Sequence, residues 1–514
     1  RPHEYIYGKY GTAPRLSRMS ACPPYLEHPF TSVHRIKLIR RIVENTDGNG
    51  CGMNLSVLTR NKALKAFFPY HDEERRRELY AMWIKPCASP NSQPLDEIKD
   101  YLGEKIAMYF AVLGHYTVWL GPLAIVGILT SIDQILEWNL DATLAPYFGV
   151  FVSFWAVLML EFWKRKEARL ALHWGMSNFE QSEHDRAEFK GDTMTSFVDG
   201  SQMTYYPQEE YIQLMVLANV LVIGMLATAI ALVAGIFLLE VEWDESSISF
   251  FSSYGSYLGS FLLSLEIQIM NFFYKKVAIW TTSRENHRTD TVFEDVLIAK
   301  LAVFLERAGV PEDTPFSESE VQYVFATYHE MMGPLGDMSE IAIQFGYVTL
   351  FVVSFPVAPL LAYISNYFEI RVDAVKILYE HRRPFPRGAQ DIGTWQVVWT
   401  AVAAIAVATN AGLIFFTADE LEWSADNLVW GFVIWQYGVF LLMSLFSVFV
   451  PDVPFDVSIQ LDRQRFITSK IIDQIPDENQ GPQIRAAGSG RLVIHEEDDQ
   501  PPPGEVVLPG MPYC

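Results

Sequence analysis

Long uncharged runs alternate with short polar connections through most of this chain, at Ile106–Ile132, Leu144–Leu160, Tyr211–Leu239, Ile248–Leu265, Ile341–Phe368, Trp395–Ala418 and Leu428–Val450. Most reach or approach the ~20 apolar residues that a helix needs to cross a bilayer. The pattern therefore predicts an α-helical polytopic membrane protein, with spans at about 106–132, 144–163, 212–239, 248–274, 395–417 and 428–450 and a helical hairpin at 338–368. Residues 1–105 mix polar and apolar positions and predict an α+β cytosolic domain, with a charged helix at His71–Lys85 and an amphipathic lead-in at Leu95–Lys105. Residues 451–514 are predicted to form a cytosolic tail, largely disordered and rich in acid and proline.

The run at Ile341–Phe368 differs from the others because carboxylates bracket it. Asp337 and Glu340 stand three apart before it, and Glu369 and Asp373 four apart after it, so each pair shares one helix face. As a single rod the run would be roughly 42 Å long at ~1.5 Å per residue, placing the pairs on opposite sides of a ~30 Å core. A hairpin turning at Phe355–Pro359, where Pro356 and Pro359 interrupt the helix, returns the second pair to the first. Four carboxylates gathered at the edge of a low-dielectric region repel one another unless a cation lies among them. Hard oxygen donors without Cys or His suit Ca²⁺ better than zinc or copper. The plainer reading is that these acids cap two helices at the membrane surface.

Charge distribution gives an orientation. The connections Asp133–Thr143, Glu240–Ser247 and Asp419–Asn427 hold acids and no Lys or Arg. The others are basic close to the apolar runs, with Lys164, Arg165, Lys166 and Arg169, then Lys275, Lys276, Arg284 and Arg288, then Arg371, Lys376, Arg382, Arg383 and Arg387. The positive-inside rule places the acidic loops outside and both termini in the cytosol, and it closes only if 341–368 enters and leaves on one side. A net charge of -22 argues against a nucleic-acid partner. The four cysteines, Cys22, Cys51, Cys87 and Cys514, form no CxxC pair and read as reduced thiols. No P-loop, GxSxG or HExxH motif occurs, and His115 inside the first run reads as a packed or interfacial histidine, so no enzyme is expected.

The fourth span carries Ser249, Ser253, Ser256, Ser260, Ser264, Gln268, Asn271 and Lys275 at steps of three and four, one polar stripe along a helix. Small polar residues at this spacing serve either close helix packing or a hydrophilic furrow in which ions or lipid headgroups find partners. Ser253, Ser256, Ser260, Ser264, Gln268 and Asn271 are the candidate furrow-lining residues. Glu266 lies off the stripe and is expected at a protein contact or paired.

EIAIQFGYVTLF at 340–351, FPVAP at 355–359, EIRVD at 369–373, RPFPR at 383–387, DIG at 391–393 and Trp395 together resemble the anoctamin family of Ca²⁺-activated anion channels and phospholipid scramblases. KAFFP at 65–69 with His71 and Asp72, QPLDE at 93–97, GEKI at 103–106, Tyr109, Phe110, EFWKR at 161–165 and Trp174 extend the likeness across roughly residues 36–460. The resemblance implies an anoctamin-like helical bundle, a homodimer, and a Ca²⁺ site whose seventh- and eighth-helix acids match Asp337, Glu340, Glu369 and Asp373, with Asn366 adjacent. It also implies a secondary cation site to which Glu161, Asp452 and Asp456 correspond in position. The chain departs from the family after FEDVLIAK at 293–300, where no spanning run follows before Glu330, so two membrane helices of the family are expected to be absent. Starting at Arg1 without Met is compatible with a fragment, a splice form or a faulty gene model. The implied function is calcium-activated transport of chloride or other anions, phospholipid scrambling, or both, in an integral membrane protein. A non-transporting scaffold or tether is the alternative.

Overall fold

The computed structural model describes residues 30–45, 50–85, 88–137, 144–177, 179–180, 183, 186, 189–195, 202–244, 249–301, 322–323, 325–328, 332–350, 352–417 and 425–469. The chain divides into two units. One comprises Arg1–Asn54, Lys164–Ser177 and Val450–Cys514; the other comprises Leu55–Trp163 and Asn178–Phe449. The expected tail beyond residue 469 and the stretch 302–321, where the family's helix pair is missed, lie outside the described residues.

In the smaller unit, helix α1 (Ser32–Glu44) begins at Thr31, whose hydroxyl accepts from the His34 amide. The same unit holds the end of α6 (Ala145–His173) and helix α14 (Phe455–Ile467), the last in chain order. Lys164 pairs with Asp452 at 3.3 Å and Arg169 with Asp456 at 3.4 Å. Two of the three acids aligned with a secondary cation site are thus neutralised by basic side chains; Glu161 belongs to the larger unit.

The larger unit starts with α2 (Leu55–Arg60), α3 (Glu73–Trp83) and α4 (Leu95–Leu102). Asp72 caps α3 by accepting from the Glu74 and Arg75 amides, the usual relief for orphan N–H groups at a helix start. Among the described residues before 105 there are helices and no strand, so the strands expected there are not seen; the one strand pair described comes later. It joins β1 (Asp192–Thr195) and β2 (Gln202–Tyr205) antiparallel, Asp192 opposite Tyr205.

The apolar runs form the long helices. These are α5 (Glu104–Glu137), α6, α7 (Gln208–Asp244), α8 (Ser249–Arg284), α12 (Trp395–Gly412, continued by a π-helical turn Leu413–Thr417) and α13 (Ala425–Phe449). Helix α9 (Asp290–Leu301) follows α8. Five helices among the described residues, α5, α6, α7, α12 with its extension, and α13, are long and apolar enough to cross a membrane. Helix α8 is long enough, but its serines, amides and lysines dilute the apolar character. Burial sorts the helices: α5 and α6 bury over half of their apolar stretch against protein, whereas α7 and α13 leave theirs almost wholly open, as lipid-facing helices do.

The bracketed run becomes α10 (Met332–Leu350) and α11 (Ala358–Val375), two helices of 19 and 18 residues whose first and second halves, respectively, carry the bracketing acids. Between them the Phe355 amide bonds to the Val352 carbonyl and the Ala358 amide to the Phe355 carbonyl, closing consecutive turns. Pro359 sits in the first turn of α11, where its missing N–H breaks no helical bond. Gly127 of α5 meets this turn: a Cβ there would overlap the Pro356 carbonyl, so only glycine allows so close an approach. Helix α11 packs along α5, and α10 along α12, where the Asn410 amide donates to the Thr349 carbonyl. Phe345 of α10 stacks on Trp399 of α12, and Tyr116 and Trp155 complete an aromatic cluster. His115 is packed, its Nε2 bonded to the Met159 carbonyl and its ring against Trp119 and Trp163. Glu266 is half-buried, and its Oε1 has no hydrogen-bond partner among the described residues, so the pairing expected for that oxygen is not found.

Past α11 a π-helical turn (Lys376–Glu380) leads into an extended strap anchored on the segment before α3. The fully buried His71 holds the junction, with Nδ1 2.9 Å from the Tyr101 hydroxyl and Nε2 3.1 Å from the His381 carbonyl. Because a carbonyl only accepts, Nε2 carries the proton and Nδ1 accepts from Tyr101. Gln322 bonds both the amide and the carbonyl of His71, and Arg383 donates to the carbonyls of Tyr101 and Tyr70. Burial, with the charges of Arg76 and Arg383 adding to it, lowers the His71 pKa from 6.5 to about 4. The unfolded chain therefore binds a proton first as pH falls, and stability is lost between pH 6.5 and 4, by about 3 kcal/mol in all. Thermal unfolding of the detergent-purified protein should show a midpoint that drops across this window, and His71→Gln should flatten the drop; equal slopes would contradict a neutral buried His71.

Candidate functional site

Asp337 lies near the start of α10 and Asp373 near the end of α11, and both are buried, 6% and 5% exposed. The ammonium of Lys376 stands between them, 3.0 Å from Asp337 Oδ1 and 3.6 Å from Asp373 Oδ1. The second oxygen of each aspartate is also satisfied: Tyr328 donates its hydroxyl to Asp337 Oδ2 at 2.8 Å, and Tyr109 of α5 donates to Asp373 Oδ2 at 2.6 Å. Two carboxylates, one ammonium and two phenols thus tie α10, α11 and α5 together. Burial, with the Asp337 carboxylate beside it, holds the Tyr328 hydroxyl well above its usual pKa, so it remains a donor.

Helical geometry explains the assembly. Asp373 and Lys376 are three apart on consecutive turns, which points both toward α10. Asn366, Glu369 and Asp373 follow at three and four residues, one face of α11. Of the four bracketing acids, Asp337 and Asp373 meet on a shared partner, Lys376. Glu369 is half-buried and Glu340 is exposed. Among the described residues, no three Asp, Glu, His or Cys side chains close around a point tightly enough to enclose a metal ion.

The donor chemistry nonetheless fits a hard divalent cation. All the candidate ligands are oxygens, one cation already bridges the two aspartates, and the Asn366 side chain, 1% exposed, leaves both its oxygen and its nitrogen without a partner among the described residues. A buried amide with nothing to bond costs free energy unless some state of the protein uses it. The residues present suit Ca²⁺, in an arrangement closed on lysine.

Of the furrow candidates, Ser260 and Ser264 are exposed along α8, while the side chains of Ser253, Ser256, Gln268 and Asn271 lie outside the described set. Helix α8 packs chiefly on α7. At its end Glu285, fully buried, accepts from Lys300 at 2.6 Å and bonds His287 at 2.8 Å. Burial alone would raise the Glu285 pKa, but these hydrogen bonds and charges hold it below the usual carboxylate range.

Sequence reasoning did not single out Tyr109, Tyr328 or Lys376 as site residues. Lys376 had counted only as a positive charge for orientation, although its spacing from Asp373 was a signal; Tyr109 carries none, since it lies 264 residues from Asp373, and Tyr328, nine residues before Asp337, lies outside α10, where helical spacing has no bearing.

A helical integral membrane protein in which an acidic pair joins two short helices to a central long one is the class that this fold and site define. The family described as "Anoctamin: Calcium-activated chloride channel" matches residues 98–305 and 308–464, and the chain belongs to that family. Its relatives include mouse anoctamin-7, 25% identical across 94% of this chain and 78% of the relative, and human anoctamin-7, 26% identical across 79% of this chain and 60% of the relative. Human anoctamin-10 is 26% identical, covering 79% of this chain and 71% of its own length. The alignment to mouse anoctamin-7 runs over 681 positions, more than the 514 residues of this chain, so the relative has segments without a counterpart here.

Replacing Tyr109 with Phe leaves Asp373 Oδ2 buried without its donor and should cost about 1–3 kcal/mol. A lowered thermal unfolding midpoint relative to wild type, with Tyr147→Phe at an exposed position unchanged, is the expected result.

Proposed function

We propose that this chain provides a passive, Ca²⁺-gated path through the membrane for chloride or other anions, phospholipid headgroups, or both, with Asp337, Glu340, Glu369 and Asp373 as the calcium ligands. The observation that carries this reading is the convergence of Asp337 and Asp373, from two different helices, on a single positive charge. Membership of a family described as calcium-activated chloride channels supports it. So does the polar stripe of α8, whose Ser260 and Ser264 are open to the surroundings.

The chain's own residues do the following. Asp337 draws α10 toward α11, and Asp373, fixed by Tyr109, registers α11 against α5. Glu369 and Asn366 stand on the same face of α11 and supply further oxygens. Ca²⁺, when bound, supplies two positive charges that offset the carboxylates and favour whichever arrangement gathers them. The stripe of α8 offers hydroxyls and amides to a polar solute in an otherwise apolar layer. In this reading the acidic loops face outward, both termini are cytosolic, and the active form is a homodimer.

The family match breaks between residues 305 and 308, and we place there the loss of two of the family's membrane helices. Losing an even number preserves the orientation on either side but removes part of the furrow wall. That break favours one second reading, a scaffold or tether that conducts nothing.

Reconstitution in liposomes separates the two. Halide efflux or translocation of a fluorescent phospholipid that rises with Ca²⁺ is expected, and Asp337→Asn with Asp373→Asn should raise the half-activating Ca²⁺ concentration at least about tenfold, since two charged ligands are lost. An unchanged calcium dependence rejects the site, and the absence of both fluxes in folded wild-type protein selects the scaffold.

A further inference from the structure

We infer that Lys376 is a tethered counter-ion that occupies the divalent-cation position between Asp337 and Asp373, so that it competes with calcium and sets the calcium threshold of the site; this rests on the calcium reading above.

Geometry and accounting carry the inference. Lys376 Nζ contacts one oxygen of each aspartate, and the remaining oxygen of each is taken by a tyrosine hydroxyl. Every carboxylate oxygen of the pair is therefore satisfied from within the chain. This buried pair is charge-compensated and hydrogen-bonded with no ion present, a complete arrangement and not a gap waiting to be filled. A divalent ion binds carboxylate oxygens at about 2.3–2.6 Å. The position from which one ion reaches both Asp337 Oδ1 and Asp373 Oδ1 is the position that the ammonium holds. A divalent ion that bridges the two aspartates there and the Lys376 ammonium exclude each other from that position.

The covalent tether makes the competitor effective. Lys376 is three residues from Asp373 on the same continuous turn of chain, so its local concentration never falls. It also lies on the π-helical turn between α11 and the strap at His381, and that turn places the side chain back over Asp373 and not outward. Release of the lysine frees an oxygen on each aspartate, and Asn366, buried on the same face as Asp373 and without a partner among the described residues, is the group whose satisfaction the lysine-closed state leaves undone. The apparent affinity for an incoming cation is reduced by the fraction of molecules in which the lysine is withdrawn.

Two measurements on the full chain, purified in detergent, test this. In the first, the thermal unfolding midpoint is followed against free Ca²⁺. Lys376→Met should lower the half-saturating Ca²⁺ concentration about tenfold or more, and Lys376→Arg, which keeps a cation, should stay near wild type. In the absence of Ca²⁺ the Met variant should unfold at lower temperature, because two buried carboxylates face each other uncompensated. Half-saturation at an unchanged or higher concentration overturns the inference while leaving the calcium reading intact. A wild-type protein and a Met variant that both show no calcium-dependent shift overturn the calcium reading itself.

The second measurement needs no variant and decides the matter should Lys376→Met fail to fold. Wild-type protein is treated with a limiting amine-acylating reagent, with a chelator or with saturating Ca²⁺, and Lys376 modification is read by mass spectrometry against Lys62, an exposed reference. Modification of Lys376 should rise severalfold with Ca²⁺ as the ammonium leaves the aspartates. Equal or lower modification with Ca²⁺, in protein whose unfolding midpoint has shifted, shows that the lysine is not displaced and overturns the inference.

Discussion

The buried contact among Asp337, Lys376 and Asp373 is the constraint on which this structure turns. Two carboxylates brought together away from water cannot remain charged without a nearby cation. At an effective dielectric constant of about 20, an ammonium some 3 Å from a carboxylate contributes of order 5 kcal/mol of attraction before desolvation is set against it. The same contact fixes the start of α10 beside the end of α11, which makes a pair of helices out of what composition alone would allow as one rod. Removing the cation without replacing it would leave like charges pressing the two helices apart.

Other features of the larger unit arrange themselves around that contact. Helix α5 is buried along nearly all of its first half because it must present Tyr109 to Asp373 and Tyr116 to the aromatic cluster at Phe345 and Trp399. Gly127, lower on the same helix, lets the proline turn of the hairpin approach without a side chain intervening. Beyond Lys376 the chain continues as a π-helical turn and then as a strap pinned at His71, Tyr101 and Arg383. A displacement of Lys376 would therefore act on a segment whose far end is rigidly hydrogen-bonded, giving a local charge event a mechanical path into the segment ahead of α3.

Much of this was legible in the chain. The uncharged runs correspond to long helices, the prolines at 356 and 359 to a break between α10 and α11, and the motif block from Glu340 to Trp395 to the anoctamin family. These are properties of contiguous sequence: period, length and local conformational preference. The N-terminal strands did not follow the same logic, since a mixed pattern without a dominant period leaves helix and strand open, and helices are what the described residues before 105 form. The four acids were legible as two face-sharing pairs. Their inequality was not, because whether Glu340 is exposed and Asp337 buried depends on what packs against each face of α10.

Sequence alone determined that the chain lies in a membrane and that carboxylates bracket a proline-broken helix, because hydrophobic length and i, i+3 or i, i+4 spacing are consequences of covalent order. Tertiary structure alone decided which charge answers those carboxylates. Lys376 reaches Asp337 across 39 residues and Tyr109 reaches Asp373 across 264. Neither separation has any period to read, and only the packing of α5, α10 and α11 brings the partners within bonding distance.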